Sequence, residues 1–266
     1  VITTGGLSYP ATGSSGDGFT LAESMGHTIT EITAALTPVN AIPAPDALTP
    51  GKKIPLELSG LTLQNSTIAL YRNNQKIKTC SGDLLFTHTG LSGPVILDMS
   101  RYIEPGDIIT VSLIHDNPES FENRFNMNSR TDGKRNIKNF LHTFLIPDRI
   151  IQTFLDISAI SYNKKTSQIS REERKQLIAL STAFPFKVIS KGDYNIAMAT
   201  HGGVSLKEIN MHTMESKIVS GLFFAGEVMD IDGDTGGYNL QAAFSTGKLA
   251  GDNIYKRFCK TGSEHN

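Results

Sequence analysis

The pattern of hydrophobic and polar positions divides the 266-residue chain into four segments. Residues 1–37 predict a strand, a glycine-rich loop and a helix, and residues 38–116 predict short strands after a proline-rich linker. Over residues 117–190 the hydrophobic period becomes helical, and residues 191–266 return to strand, glycine loop and helix. We therefore expect the first and last segments to pack together as one α/β domain that is interrupted by two inserts.

Each segment predicts particular elements. In the first segment, Asp17 is the expected helix cap and Gly26 the expected helix end. The β-rich insert should form an antiparallel barrel-like unit. Its predicted strands lie at residues 54–58, 61–71, 77–86 and 108–115. The predicted helices further along lie at residues 137–145 before Pro147, at 150–155, at 171–182 with Ser170 as cap, and at 239–258.

Composition and charge narrow the function classes. With 39% hydrophobic and 19% charged residues, the chain has the composition of an ordinary globular protein. With a net charge of −1 and no dense cluster of Lys and Arg, we expect no nucleic-acid partner. The expected partner is a small-molecule substrate. No apolar run is long enough to span a bilayer, and we expect no membrane association and a cytoplasmic location. Cys80 and Cys259 lie far apart without neighbouring ligands, which indicates neither a disulfide framework nor a metal site.

The stretch Gly221–Gly251 contains the strongest candidate site. An apolar strand ends at Ala225, a loop of glycines and acids follows, and then a helix rich in small residues begins. The N-terminus of such a helix offers free N–H groups to an anionic or electron-rich ligand. Glu227, just after the strand, can accept hydrogen bonds from a sugar or polyol. The alternative is a tight connection between strand and helix that binds no ligand.

The sequence of this stretch from Gly226 to Gln241 resembles that of the BaiN/aminoacetone-oxidase-like family of flavoproteins. Three other stretches match that family in order and approximate spacing: Thr3–Gly18, Phe86–Pro94, and Ala199–Val204 followed by Met214–Lys217. The resemblance covers nearly the whole chain and is weakest in the helical segment. It implies a FAD-dependent oxidoreductase with a glutathione-reductase-like FAD domain.

The resemblance assigns roles to the segments and to individual residues. Residues 1–37 would be the first part of the FAD-binding domain and residues 191–266 its C-terminal part, with the two inserts as a lid or substrate wall. The implied cofactor-binding residues are Thr4, Gly5 and Gly6 near the ADP half of FAD, Gly226 and Glu227 near the ribityl chain or pyrophosphate, and Gly236, Gly237, Tyr238 and Asn239 near the isoalloxazine ring.

One part of the flavoprotein pattern is missing. No G-x-G-x-x-G turn follows a strand, and the glycine-rich loop at residues 13–18 matches neither that fingerprint nor a P-loop. Val1–Gly6 resemble the end of a strand, so we expect the natural chain to begin upstream. We therefore expect FAD in the complete protein but not in these 266 residues alone, with NADH or NADPH as a candidate electron donor.

Candidate catalytic groups are few. His201, in a glycine turn that the resemblance places near the flavin, is either an acid, base or substrate anchor, or a solvated turn residue. For His88 a structural role in its turn is favoured over an active-site role. Asp230, Asp232 and Asp234 lack the order of a calcium loop and are interpreted as solubilising and capping residues.

Two further hypotheses compete with a FAD-dependent oxidoreductase acting on a small organic substrate. One is a non-catalytic fragment or binding module without bound cofactor. The other is a nucleotide-dependent transferase that uses the loop at Gly13, and it is disfavoured because no lysine follows that loop to hold a phosphate.

Overall fold

A computed structural model describes residues 1–44 and 58–259. The described residues form two compact units. Unit 1 consists of Val1–Pro38, Ile96–Tyr102 and the chain from Gly192 onward. Unit 2 consists of Val39–Val95 and Ile103–Lys191, apart from the undescribed residues 45–57.

Unit 1 joins the first and last segments of the chain through short strand pairs. Strand β1 (Thr33–Ala35) is antiparallel to β8 (Ala199–His201), with Thr33 opposite His201. Ile2 forms a parallel bridge with Phe224. A third pair is formed by β9 (Ile209–Asn210) and β10 (Glu215–Ser216). The two ends of the chain therefore pack on each other, as the hydrophobic pattern predicts.

Three helices complete unit 1. They are α1 (Asp17–Ser24), the part of α2 (Pro94–Met99) from Ile96 onward, and α7 (Tyr238–Ile254), which continues as a π-helical turn over Tyr255–Cys259. The core is mainly apolar and includes Ile2, Phe19, Val204, Phe224 and Met229. Helix α1 departs from the prediction, because Gly16 in a left-handed conformation precedes it and Asp17 is its first residue rather than its cap.

Unit 2 is built on a closed antiparallel barrel with strand order β2-β5-β4-β3-β6-β7. The strands are β2 (Val39–Pro43), β3 (Thr62–Arg72), β4 (Gln75–Phe86), β5 (Gly90–Ser92), β6 (Ile108–Val111) and β7 (Phe184–Lys191). Buried side chains of alternating residues, such as Phe184, Phe186 and Val188, fill its interior.

Four helices lie between β6 and β7. They are α3 (Pro118–Thr131), α4 (Ile137–His142), α5 (Asp148–Ile157) and α6 (Arg171–Thr182). Phe121, Phe125, Phe140 and Phe144 pack edge-to-face or stacked, with ring centroids 4.8–5.7 Å apart. Ser170 and Glu173 form a capping box at α6, so the predicted start of this helix is confirmed.

Several predicted elements of unit 2 differ from the structure. Strand β7 lies inside the segment predicted to be helical, because Phe184–Lys191 pairs with β2 and β6 far away in the sequence. The helix before Pro147 ends at His142, and Leu145 is 90% exposed with a positive φ of 59°. The predicted strand at 54–58 lies outside the described residues except for Leu58, which is in a turn.

No helix among residues 1–44 and 58–259 is long and apolar enough to cross a membrane.

Candidate functional site

A network around the carboxylate of Glu227 joins the two ends of the chain in unit 1. The backbone N–H of Thr200, in β8, donates a hydrogen bond of 2.5 Å to Glu227 Oε1. The Thr200 hydroxyl accepts a hydrogen bond of 2.8 Å from the backbone N–H of Leu7. Since Ile2 pairs in parallel with Phe224, the glycine turn after the first strand lies beside the loop that carries Glu227.

Two glycines permit this close approach. A Cβ atom at Gly6 would lie 2.3 Å from the hydroxyl oxygen of Thr200, and one at Gly18 in α1 would lie 2.0 Å from the hydroxyl oxygen of Thr4. Gly5, which lies between Thr4 and Gly6, has a φ of +73°. The structure thus brings Thr4, Gly5 and Gly6 together with β8, where any larger side chain in place of Gly6 would collide.

The start of α7 has the features of an anion-binding helix end. Gly236 and Gly237 have φ values of +110° and +94°, and no side chain caps the helix. The first N–H groups of the helix are therefore available to a ligand. Asn239 is already engaged in the loop: it accepts a 2.8 Å hydrogen bond from the N–H of Gly233 and donates one of 3.1 Å to its carbonyl. Tyr238 is 65% exposed.

A cleft of about 180 Å³ lies between this helix and the loop after the strand. Gly226, with a φ of +79°, donates from its N–H to the Thr246 hydroxyl of α7 at 3.0 Å and so fixes the cleft wall. The cleft is lined by Met198, Gly226, Glu227, Met229, Ile231, Asn239, Leu240, Ala242, Ala243 and Thr246.

His201 is held by a buried carboxylate. Its Nδ1 lies 2.8 Å from Oδ1 of Asp232, whose side chain is only 7% exposed. Because an ionised carboxylate only accepts hydrogen bonds, Nδ1 carries the proton and Nε2 is left to accept or donate a proton elsewhere. The imidazole itself is 39% exposed and accessible to a small reactant. His201 is therefore an oriented group rather than a free turn residue.

Arg101 fixes the loop that carries Asp232. Its guanidinium is 10% exposed, lies 3.1 Å from Oδ2 of Asp232, and pairs with Asp234 at 2.9 Å. It also donates to the carbonyls of Asp232 and Gly233. From the same region, Asp98 accepts a 2.7 Å hydrogen bond from the N–H of Thr235. These contacts stabilise one conformation of residues 232–235.

The interpretation of the three aspartates as solubilising and capping residues is wrong for Asp232. It is buried because it pairs with a histidine and an arginine, and Asp234 also pairs with Arg101. Arg101, Asp98 and Thr200 were missed altogether. The sequence carries no local signal for Arg101, which lies 131 residues before Asp232.

Two remaining candidates, His88 and Cys80, belong to unit 2. His88 is exposed in the turn between β4 and β5, which belongs to unit 2. Cys80 is a free cysteine in β4. Within the described ranges, no cluster of three or more His, Cys, Asp or Glu residues is arranged to hold a metal ion.

The chain is similar to known proteins over most of its length. The family described as "HI0933-like protein Rossmann domain" matches residues 1–253. A protein of Escherichia coli named ribosomal RNA dihydrouridine synthase is 34% identical over 249 residues, which are 92% of this chain and 58% of that protein. A Haemophilus influenzae protein of the same name is 32% identical over 246 residues, 92% of this chain and 57% of that protein.

A third relative has a different name. A protein of Clostridium scindens named 3-dehydro-bile acid delta(4,6)-reductase is 28% identical over 258 residues, 94% of this chain and 60% of that protein. The chain thus spans less than two thirds of the length of each of these relatives. The family match covers nearly all of unit 1 and unit 2, and it confirms the resemblance that the glycine motifs indicate. The chain belongs to the HI0933-like family, whose members contain a Rossmann domain.

Proposed function

We propose that this protein is a FAD-dependent reductase of a carbon–carbon double bond conjugated to a carbonyl group, and that its substrate is a uridine of ribosomal RNA. The observation that carries the proposal is the orientation of His201 by Asp232, which leaves Nε2 available for proton transfer. Two relatives, from Escherichia coli and Haemophilus influenzae, are named ribosomal RNA dihydrouridine synthase, which supports the choice of substrate.

The names of the relatives support the reaction type as well. Dihydrouridine is uridine with two added hydrogens, and a delta(4,6)-reductase also removes a carbon–carbon double bond. Both reactions add one hydride and one proton across a double bond. An enzyme that supplies them needs a hydride source and a positioned acid, while the identity of the substrate depends on the shape of its pocket.

The residues of unit 1 fit FAD. The uncapped start of α7 leaves N–H groups for a partly anionic ligand, and the cleft beside Gly226 and Glu227 leaves room for it. Thr4, Gly5 and Gly6 would hold the ADP half, Gly226 and Glu227 the ribityl chain, and Gly236, Gly237 and Tyr238 the ring, with Asn239 fixing the loop. Unit 1 would be part of a glutathione-reductase-like FAD domain, with the barrel and the helices as its inserts.

FAD, when bound, supplies the hydride after reduction by NADH or NADPH. His201 would donate the matching proton from Nε2 to the substrate carbon that does not receive the hydride, so that the double bond becomes a single bond. Asp232 keeps the imidazole in the orientation needed. We also propose a cytoplasmic location, because the proposed substrate is ribosomal RNA.

The second candidate is the reduction of a free small-molecule enone, which the Clostridium scindens relative favours. The experiment uses the protein encoded by the complete gene, loaded with FAD and supplied with NADH or NADPH. Dihydrouridine is measured in ribosomal RNA by mass spectrometry, and consumption of a steroid enone is measured in parallel.

The expected result is dihydrouridine formation that His201→Asn lowers by about a hundredfold or more, as expected for loss of a positioned acid. His88→Asn, an exposed histidine of unit 2, is the matched control and should leave the rate unchanged. Reduction of the enone alone would favour the second candidate. Absence of bound flavin from the complete protein would instead support a non-catalytic binding module and overturn the proposal.

A further inference from the structure

Charge is distributed very unevenly between the two units. The ranges of unit 2 contain 18 Lys and Arg residues and 13 Asp and Glu residues, a net charge of +5. Those of unit 1 contain 7 and 13, a net charge of −6. The overall charge of −1 is therefore the sum of an acidic unit and a basic unit. A polyanion would be attracted to unit 2 although the whole chain is nearly neutral.

Two segments of unit 2 lie side by side and expose basic residues on one face. The N–H of Thr166 donates to the carbonyl of Arg135 at 2.9 Å, and the N–H of Ile137 donates to the carbonyl of Lys164 at 2.8 Å. Asn136 and Lys165 are thus opposite each other in an antiparallel bridge. Lys134 lies in a turn two residues before Asn136, and Ser167, in the 3-10 helix after Lys165, donates from its hydroxyl to the carbonyl of Gly133 at 2.8 Å, so Lys134, Asn136, Lys165 and Ser167 lie close together.

The exposure of these residues agrees with their position at the surface. Lys134, Lys165 and Ser167 are exposed and Asn136 is half-buried, whereas the neighbouring Thr166 is buried. Arg130, in the last turn of α3, is exposed shortly before this segment.

The cations of this face differ from their neighbours in their partners. The neighbouring cations are paired: Arg135 contacts Asp132 at 2.9 Å, and Lys164 contacts Glu173 at 2.6 Å. Arg130, Lys134 and Lys165 have no carboxylate partner in the described part of the chain. We call Arg130, Lys134, Asn136, Lys165 and Ser167 the basic surface. It combines three cations, which bind phosphate oxygens, with two polar residues that fix the local backbone: Asn136 caps α4, and Ser167 donates to the carbonyl of Gly133.

We propose that the basic surface binds the phosphate backbone of RNA. The choice of RNA over another polyanion rests on the proposed function, in which the reacting uridine belongs to ribosomal RNA. The three cations neutralise about three phosphates, and each neutralised phosphate of a single strand contributes about 0.7 to the salt dependence of binding. A plot of the logarithm of the binding constant against the logarithm of salt concentration should therefore be steeper by about 2 for the native protein than for a protein that lacks the basic surface. Contacts to the backbone carry no sequence information, so the surface provides affinity rather than the choice of uridine.

The test measures binding of a labelled fragment of ribosomal RNA to the complete protein by fluorescence anisotropy at several salt concentrations. The His201→Asn background prevents turnover during the measurement. A triple variant, R130Q/K134Q/K165Q, removes the three unpaired cations. The matched control, K76Q/K187Q/K248Q, removes the same number of exposed cations elsewhere. Thermal unfolding of both variants establishes that they are folded.

We expect the triple variant to bind RNA at least tenfold more weakly at low salt and to lose about 2 from the slope, while the control keeps most of both. Equal effects of the two triple variants, or none from the first, would overturn the assignment of the basic surface. If the two triple variants bind RNA equally well and the protein with native His201 still forms dihydrouridine, only the basic surface is refuted and the proposed function stands. Loss of binding to phosphatidylserine vesicles without any loss of RNA binding would also overturn it.

Discussion

Replacing Asp232 by asparagine isolates the charge that orients His201. The side chain of Asp232 is 7% exposed and lies between the imidazole Nδ1 at 2.8 Å and the Arg101 guanidinium at 3.1 Å. Asparagine has nearly the same shape but no charge, so Asp232→Asn changes the electrostatics of the contact without opening a cavity. It weakens two charge-assisted interactions at once.

The structure bounds the cost of this change. Arg101 keeps the carboxylate of Asp234 and the carbonyls of residues 232 and 233, so its buried cation is not left without partners. The loss should therefore be smaller than the roughly 3–5 kcal/mol for a buried ion pair that loses one member completely. A hydrogen bond to a charged group contributes about 1.5–3 kcal/mol, and we expect a decrease of that size in the free energy of unfolding.

Urea unfolding measures this decrease as a shift of the midpoint at constant slope. Asp234→Asn is the matched control, because Asp234 pairs with the same guanidinium but is 62% exposed, and it should cost less than about 1 kcal/mol. Nitrogen NMR of His201 should show Nδ1 protonated in the neutral ring and a mixture of tautomers in Asp232→Asn. Equal costs for the two substitutions, or an unchanged tautomer, would refute the proposed orientation of the imidazole.

Three other substitutions test separate contacts. Glu227→Ala in the complete protein should lower flavin occupancy more than Glu227→Gln, which keeps the hydrogen bond from Thr200; equal occupancy measured by absorbance would contradict this role. Gly6→Ala should destabilise the protein by about 1–3 kcal/mol, because the added Cβ would collide with Thr200. Gly247→Ala should be stabilising, because Gly247 lies within α7 with open space where its Cβ would be. Thermal unfolding compares the two variants. A hydrogen bond from the Thr28 N–H holds the pKa of Glu208 below its ordinary value of 4.5. The ionised carboxylate should therefore stabilise the folded protein above pH 4.5, and this contribution should be lost as the pH falls through the lower pKa of the folded state. Melting temperatures measured at a series of pH values should show a smaller acid-induced decrease for Glu208→Gln than for the native protein.

Helices with a clear hydrophobic period were the most predictable elements. In α5, Ile150, Ile151, Phe154 and Leu155 are all buried, as their spacing requires. The capping box of α6 has a local cause, since Ser170 and its partner are three residues apart. These elements are determined by contacts within a few turns, so the sequence is sufficient to locate them.

Strand β7 shows why other elements were missed. Phe184, Phe186 and Val188 are buried, but so is Pro185, and a clear alternation appears only from Lys187 onward. The run also directly follows a helix, and its partners lie about 75 and 145 residues earlier in β6 and β2. A short alternating run becomes a strand only when distant strands are present to pair with it. The positions of the glycines at the site were recognised, whereas their reason, the close approach of Thr200 to Gly6, depends on such distant pairing.

The same dependence on distant contacts determines the geometry of the candidate site. Backbone pairing near it consists of three residue pairs between β1 and β8 and of isolated bridges such as Ile2–Phe224 and Val204–Met229. The relative positions of His201, Glu227 and the loop after Met229 are therefore set by the backbone hydrogen bonds of Val204 with Val228 and Asp230, together with two polar contacts: Thr200 to Glu227, and Arg101 to Asp232. Such buried contacts stabilise one arrangement strongly when all are satisfied. It follows that conservative substitutions in this network should disturb the site well before they unfold unit 1, whose apolar core lies around Phe224 and Met229.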